Sequence, residues 1–211
     1  MRRLAFFGGT FNPVHNGHIE TCKAIQSCFN FDELSFIPCK SPVLKEEPVV
    51  TPEQRVAMLE LAIKGNPSFS IDLREIERDT PSYMSETLES LRAEHQEDSL
   101  TLIMGYDAFL SLPYWHNWKK ILTLANLLVI NRDEYAESPV PVAVKELLER
   151  CQVTDKERLL RSKANAIYFF DAGNYEISST RIRNELQQGT LTDGNIPHEV
   201  YEYIKAQRLY Q

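Results

Sequence analysis

The chain has 211 residues, of which 43% are hydrophobic and 25% charged, a balance typical of one globular domain. Its formal net charge is −7 and it contains no basic run, so we expect no nucleic-acid partner. Its four cysteines have neither C-x-x-C nor zinc-finger spacing, which predicts neither a redox motif nor a metal finger. Its first apolar stretch, residues 4–7, is too short for a signal peptide or a membrane span, so we expect a cytoplasmic protein.

The first forty residues predict a strand, a helix and a second strand. Residues 4–7 form a buried strand that stops at Gly8 and Gly9, and residues 34–38 form the second strand. From Gly17 onward, apolar residues recur every three or four positions and predict one helix face: Ile19, Cys22, Ile25 and Phe29. This order is typical of a right-handed βαβ unit.

The alternation of helices and strands continues to the end of the chain. Residues 40–50 contain two prolines and two lysines without periodicity and predict a surface loop. Thr51, Pro52 and Gln54 then form a capping box that begins a helix to about residue 64. Further strands are predicted at 69–72, 100–104, 127–130 and 166–171, and further helices at 83–94, 118–125, 143–150, 179–188 and 197–207.

These elements predict an α/β fold: a doubly wound, mainly parallel sheet with helices on both faces. We expect a single domain over residues 1–211, with the last two helices, about 179–207, packed as a small subdomain. Ligands of such sheets bind beyond the carboxyl ends of the strands. Candidate functional residues are therefore sought after each strand.

One candidate site follows the first strand, where residues 8–18 read GGTFNPVHNGH. His15 and His18 are three residues apart at a helix start, which places both imidazoles on one face. Helix N-terminal amides favour phosphate, imidazoles can donate to charge that develops on phosphorus, and glycines permit close approach. Alternatively, the glycines only form a turn and the histidines are incidental surface residues, but two histidines around a glycine at a strand end favour a phosphate site.

A second candidate site follows the sixth strand, where residues 177–183 read ISSTRIR. Ser178 or Ser179 can cap the helix that begins there, and the remaining hydroxyls, free amides and Arg183 can hold a triphosphate. Arg181 and Arg183 are two residues apart on a helix and point in different directions. In isolation, a well-capped helix with solvated arginines is an equally good interpretation.

Together the two motifs resemble the H-x-G-H and I-S-S-T-x-x-R signatures of a nucleotidyltransferase superfamily. Pro-Ser-Tyr at 81–83, Thr-Leu at 87–88, Gly105-x-Asp107 and the Trp115 segment resemble, more narrowly, bacterial nicotinate-nucleotide adenylyltransferases. The similarity extends over essentially the whole chain. It implies a Rossmann-like fold, ATP and nicotinate mononucleotide as substrates, and deamido-NAD and pyrophosphate as products. It also implies Mg²⁺, held by phosphates and water rather than by protein side chains.

The resemblance also implies roles for individual residues. His18 would be the main catalytic group, assisted by His15 and Arg183. The implied ATP-binding residues are Gly8, Gly9, Thr10, Phe11, His15, Gly17, His18, Gly105, Asp107, Ile177, Ser178, Thr180 and Arg183. The implied nicotinate mononucleotide-binding residues are Lys45, Tyr83, Met84, Trp115, His116 and Arg132. Trp115 would stack on the pyridine ring, although Tyr114, Trp115 and Trp118 could instead pack a helix start against the core. The protein is expected to act as a monomer or homodimer.

The chain departs from the family pattern at several positions. Met84 stands where threonine is usual, which leaves only backbone donors for the nicotinate carboxylate. Leu44 replaces a usual histidine, Asp133-Glu134 replaces a frequent Pro-Gly, and Asn12 replaces a commoner aspartate. Three alternative functions stay open: a phosphopantetheine adenylyltransferase, which shares both signatures but is usually shorter; a cytidylyltransferase; and a module that senses ATP without turnover.

Overall fold

The computed structural model describes residues 1–42, 47–130, 139–173, 175, 177–191 and 194–211. Within these residues, one sheet contains six parallel strands in the order β3-β2-β1-β4-β5-β6. The strands are β1 Arg3–Gly9, β2 Glu33–Pro38, β3 Phe69–Ile71, β4 Ser99–Gly105, β5 Asn126–Ile130 and β6 Ile167–Phe170. The predicted doubly wound parallel sheet is therefore confirmed.

The central strand β1 lies where the strand order changes direction. The chain runs outward from β1 through β2 to β3 on one side, and from β4 through β6 on the other. In the register of the sheet, Gly8 pairs with Ile37 of β2, and Phe7 pairs with Ile103 of β4. The carboxyl ends of β1 and β4 therefore flank the switch point, the place where ligands of doubly wound sheets bind.

The helices that were predicted from the sequence begin and end within two residues of the predicted positions. They are α1 Asn16–Phe29, α2 Pro52–Ile63, α3 Arg74–Glu77, α4 Met84–Glu94, α5 Tyr106–Ser111, α6 Trp118–Leu124, α7 Val142–Cys151, α8 Lys156–Arg161, α9 Ser179–Gln188 and α10 His198–Ala206, with a 3₁₀ turn at Leu112–Tyr114. The helices α3, α5 and α8 were not predicted, because four to six residues are too few to display a helical period.

The predicted capping box at the start of α2 is present. Gln54 N–H donates to the Thr51 hydroxyl at 3.3 Å, and Thr51 N–H donates to the Gln54 side-chain oxygen at 2.9 Å. Pro52 occupies the first turn, where its missing N–H costs nothing. This cap fixes where α2 and its apolar face begin.

The sheet is buried on both faces, as the continuous apolar strands predict. Along β1, Ala5 packs on one face with α1, α2, α9 and α10, while Leu4 and Phe6 pack on the other with α4, α5, α6 and α7. The α1 residues predicted to share a face are all buried. Since each fully buried aliphatic side chain contributes about 1.5–3 kcal/mol, these two layers hold the site residues on a rigid base. In the described part of the chain, no helix has the length and apolarity needed to cross a bilayer.

Candidate active site

The two histidines of the first motif stack on each other at the N-terminus of α1. Their ring centroids are 3.6 Å apart and the planes are inclined by 28°. His15 precedes the helix in extended conformation and is 3% exposed, so it is no incidental surface residue. Its backbone N–H donates to Nδ1 of His18 at 3.2 Å. Because Nδ1 accepts, the proton of the neutral His18 ring is on Nε2, which makes Nε2 a hydrogen-bond donor.

Close packing around this pair explains the glycines of the motif. Phe11 adopts a left-handed φ of 49°, and its ring, 2% exposed, meets His18 edge-on at 5.2 Å. A Cβ on Gly9 would lie 2.9 Å from the Phe11 ring, and a Cβ on Gly17 would lie 3.0 Å from Nδ1 of His15. Any side chain at either glycine would displace the aromatic rings that hold His18.

The second motif contacts the first directly, although about 170 residues separate them in the chain. Ser179 donates its hydroxyl hydrogen to the Pro13 carbonyl at 2.9 Å, and Arg183 Nη1 donates to the Asn12 carbonyl at 2.8 Å. Arg183 Nη2 also donates to the Thr180 hydroxyl at 3.3 Å. The N-termini of α1 and α9 and one guanidinium group are thereby joined at the same loop.

The caps of α9 are divided between its two serines. Ser178 accepts the Arg181 N–H at 3.2 Å, so it is the N-cap, and its hydroxyl hydrogen can still be donated to a ligand. Arg181 turns away from Arg183 and pairs with Glu185 at 2.7 Å, which confirms that the two arginines point in different directions. Ile177, next to the cap, is partly buried against the core.

Of the six residues predicted to bind the pyridine mononucleotide, the structure describes four: Tyr83, Met84, Trp115 and His116. Tyr83 is the N-cap of α4, and its ring stacks on His116 with centroids 4.2 Å apart. Met84 and Trp115 are both partly buried against the same core cluster, and Trp115 Nε1 donates to the Ser111 hydroxyl at 3.3 Å. Part of the indole thus packs against the core, as one of the two interpretations predicted.

Met84 approaches the first motif at Gly8. A Cβ on Gly8 would lie 2.7 Å from Cε of Met84, so the thioether methyl occupies the space above the end of β1. At the end of the neighbouring strand β4, Gly105 caps α5, and Oδ1 of Asp107 would lie 2.5 Å from a Cβ on Gly105. Met84 therefore lies at the end of β1, and Gly105 and Asp107 lie at the end of the adjacent strand β4.

Comparisons with known proteins agree with this geometry. A cytidylyltransferase-like family model matches residues 6–185. A protein of Legionella pneumophila (strain Lens) named "Probable nicotinate-nucleotide adenylyltransferase" is 54% identical over 211 residues, which are 100% of each chain. A protein of the same name from Methylococcus capsulatus is 38% identical, over 98% of this chain and 99% of the other.

The chain belongs to the nicotinate-nucleotide adenylyltransferase family.

The fold of this family is also found among solved structures. The structure of Plasmodium falciparum nicotinic acid mononucleotide adenylyltransferase complexed with NaAD superposes with a TM-score of 0.74, at 16% identity, over 100% of this chain and 98% of the other. At that identity the similarity concerns the fold. The Rossmann-like arrangement expected for a nicotinate-nucleotide adenylyltransferase is therefore present in this chain.

Two buried residues that contact the first motif were missed by the sequence analysis. Tyr210, 6% exposed, donates its hydroxyl hydrogen to Oδ1 of Asn12 at 2.7 Å, and burial raises the pKa of its phenol, which keeps it a donor. Arg55 in α2 is 0% exposed and donates to the carbonyls of Thr10 and Lys40. The only sequence signal for Arg55 is a charge on the otherwise apolar face of a helix.

Two residues predicted to contact phosphate, Lys45 and Arg132, lie outside the described residues, as do Leu44 and Asp133-Glu134.

The N-terminus of α1 is further joined to the C-terminal part of the chain by Asn16. Its backbone N–H donates to the Asn195 carbonyl at 3.0 Å, and its side chain donates to the Gly194 carbonyl at 2.8 Å. The start of α1 is thus held by the segment that precedes α10.

Proposed function

We propose that this chain transfers the AMP part of ATP to nicotinate mononucleotide, giving nicotinate adenine dinucleotide and pyrophosphate, as a cytoplasmic enzyme of NAD biosynthesis. The carrying observation is the contact between the two motifs, in which Arg183 donates to the Asn12 carbonyl and Ser179 to the Pro13 carbonyl. Two helix N-termini, an imidazole pair and a guanidinium at one loop suit a triphosphate and a transferring phosphoryl group.

The nucleophile of this reaction needs no general base. A phosphate monoester has a second pKa of about 6, so the phosphate of nicotinate mononucleotide is mostly a dianion at neutral pH. One of its oxygens attacks the α-phosphorus of ATP, the bond from that phosphorus to the bridging oxygen breaks, and pyrophosphate leaves with the electron pair. The protein therefore has to offset repulsion between two anions and stabilise the charge that builds on phosphorus.

Each residue of the phosphate site has a proposed part in this step. His18 donates Nε2–H to an oxygen of the α-phosphate, and the stacked His15 holds the ring in that orientation. Arg183 and the hydroxyls of Ser178 and Thr180 bind the departing β- and γ-phosphates. We further propose that α9 and α10 act as a small subdomain that carries Arg183 to the loop, together with Ile177 at its start.

The remaining assigned residues bind the two flat groups. The backbone of residues 8–11 and the pair Gly105 and Asp107 would hold adenosine, because ligands of doubly wound sheets bind at the carboxyl ends of the strands beside the switch point. The stacked Tyr83 and His116, the α4 amide of Met84, and the face of Trp115 would hold the nicotinate ring. Lys45 and Arg132 remain proposed phosphate contacts.

We propose that Mg²⁺ binds through the substrate phosphates and water. Among the described residues there is no group of three or more His, Cys, Asp or Glu side chains that could hold a metal ion, and the donor set of imidazoles, hydroxyls and guanidinium suits phosphate instead. When bound, Mg²⁺ supplies charge neutralisation of the triphosphate. The described site residues come from one chain, so a monomer suffices and a homodimer would carry two sites.

Pyrophosphate release from ATP, measured side by side with three acceptors, tests the proposal. Nicotinate mononucleotide should react faster than nicotinamide mononucleotide and phosphopantetheine. A faster reaction with phosphopantetheine would contradict the proposal, and ATP binding without pyrophosphate release in the presence of any of the three acceptors would favour an ATP-sensing module. Met84→Thr, which restores a hydroxyl at the start of α4, should raise the ratio of nicotinate to nicotinamide rates about tenfold, since a hydrogen bond to a charged group contributes roughly 1.5–3 kcal/mol.

A further inference from the structure

Arg55 connects two segments that the proposed function assigns to different substrates. Its Nη1 donates to the Thr10 carbonyl at 2.8 Å, in the turn that follows β1 and is assigned to ATP. Its Nη2 donates to the Lys40 carbonyl at 2.9 Å, at the start of the loop that follows β2. One rigid guanidinium thereby sets the spacing of two backbone carbonyls across the end of the sheet.

A core position rarely holds a charge without a reason. Arg55 is 0% exposed and shares the buried face of α2 with Met58, Leu59 and Ala62. In the part of the chain that the structure describes, Arg55 donates to the carbonyl oxygens of Thr10 and Lys40, the Cys39 thiol lies beside it, and no carboxylate forms an ion pair with it. A methionine or leucine would fill the same space without the cost of burying a guanidinium, so core packing alone does not account for arginine here.

The hydrogen bonds continue from Arg55 to the segment assigned to the pyridine ring. The backbone N–H of Lys40 donates to the Ser82 hydroxyl at 3.0 Å, and Ser82 directly precedes Tyr83, the N-cap of α4. A chain of contacts therefore runs from Thr10 through Arg55 and Lys40 to Ser82. Thr10 lies in the segment that would hold ATP, the electrophile, and Ser82 lies beside the segment that would hold nicotinate mononucleotide, the nucleophile.

We propose that Arg55 is a positioning residue that fixes the distance between the ATP-binding turn and the mononucleotide-binding segments. This inference rests on the proposed function. In-line attack requires reacting atoms about 3–3.5 Å apart, and a misplacement of about 1 Å can cost roughly a hundredfold in rate. Each substrate has its own contacts elsewhere, so loss of this spacing lowers turnover with both substrates bound more than it lowers the affinity for either alone.

The test compares Arg55→Lys with a matched control, Arg92→Lys. Lysine keeps the positive charge at position 55 but cannot hold two carbonyls at a set spacing. Arg92 is also partly buried and also donates to backbone carbonyls, those of Leu124, His95, Asp98 and Lys163, but these lie around the amino ends of β4 and β5, away from the site. For each variant, the melting temperature, the dissociation constant of each substrate alone, and kcat at saturation with both substrates are measured.

We expect Arg55→Lys to lower kcat at least tenfold while each dissociation constant changes less than threefold. Arg92→Lys should lose thermal stability and keep kcat within twofold. The inference is overturned if Arg55→Lys keeps kcat within twofold, if its substrate affinities fall as much as its turnover, or if Arg92→Lys loses as much kcat. Wild-type protein is assayed first, so a failure of the proposed function, with no pyrophosphate release from nicotinate mononucleotide, is distinguished from a failure of this inference.

Ser82→Ala decides the question if Arg55→Lys does not fold. It removes only the hydroxyl that accepts the Lys40 N–H, at a partly buried position. Because it loosens the pyridine end of the same chain of contacts, it should lower kcat at least threefold with both dissociation constants unchanged. Full turnover in Ser82→Ala would contradict the inference.

Discussion

Replacement of His18 by alanine separates the catalytic role of this residue from its structural one. The ring makes two kinds of contact in the structure: Nδ1 accepts the His15 N–H at 3.2 Å, and the ring packs against His15, Phe7 and Phe11. Alanine removes both, together with the Nε2 donor proposed for the transition state. The helix itself should persist, because alanine favours helix and the buried face of α1 lies on other residues.

The two losses have different expected sizes. One hydrogen bond contributes about 1 kcal/mol and the aromatic contacts about 1 kcal/mol more, so the melting temperature should fall by about 4–8 °C for a chain of this length. Removal of one donor to a developing oxyanion typically costs on the order of 3 kcal/mol, about a hundredfold in turnover. His18→Ala should therefore remain folded at 25 °C and lose at least 99% of its turnover.

The assay is pyrophosphate release at 25 °C with saturating ATP and nicotinate mononucleotide, together with a thermal melt. His95→Ala is the matched control, since His95 lies at the other end of the sheet, where Nδ1 approaches the Asp98 carboxylate at 3.5 Å. It should lose stability without loss of turnover. A turnover of His18→Ala within threefold of wild type would refute the assigned role.

Three further predictions concern residues around the site. Gly17→Ala places a methyl about 3.0 Å from Nδ1 of His15. Because this displaces the His15 ring that stacks on His18, kcat should fall at least tenfold in the same assay, and an unchanged kcat would show that the imidazole stack is not needed. Tyr210→Phe removes the donor to Asn12 and should lower the melting temperature by about 2–8 °C, since a partly buried acceptor left without its donor costs roughly 1–2 kcal/mol; an unchanged melt would mean that the bond contributes nothing. Burial raises the pKa of Glu75, so its ionisation opposes folding as pH rises above the ordinary glutamate pKa of about 4.5. Glu75→Gln should therefore raise the melting temperature at pH 7 and lose that advantage below pH 4.5, and a difference independent of pH would contradict this.

Much of the fold could be predicted because each strand is a short apolar run buried on both faces. Such runs, separated by helices with one apolar face, have few arrangements other than a doubly wound sheet. The capping box at Thr51 and Gln54 located a helix start to the residue. The short helices α3, α5 and α8 escaped prediction because their length is set by local turns rather than by a repeating apolar face.

The candidate site was predictable where its chemistry depends on side-chain identity. The histidines of the first motif and Arg183 of the second carry recognisable functional groups at recognisable spacing, and the structure brings the two motifs into contact. Arg55 and Tyr210 could not be assigned in the same way. Arg55 bonds to backbone carbonyls, which every residue possesses, and Tyr210 bonds to a partner 198 positions away, so no pattern along the chain indicates either contact.

A crystal structure with a non-hydrolysable ATP analogue measures most directly whether the two motifs make one phosphate site. The account predicts that a single triphosphate lies within 3.2 Å of both Nε2 of His18 and the guanidinium of Arg183. A triphosphate that contacts only one of these groups, or that binds at another edge of the sheet, would contradict it.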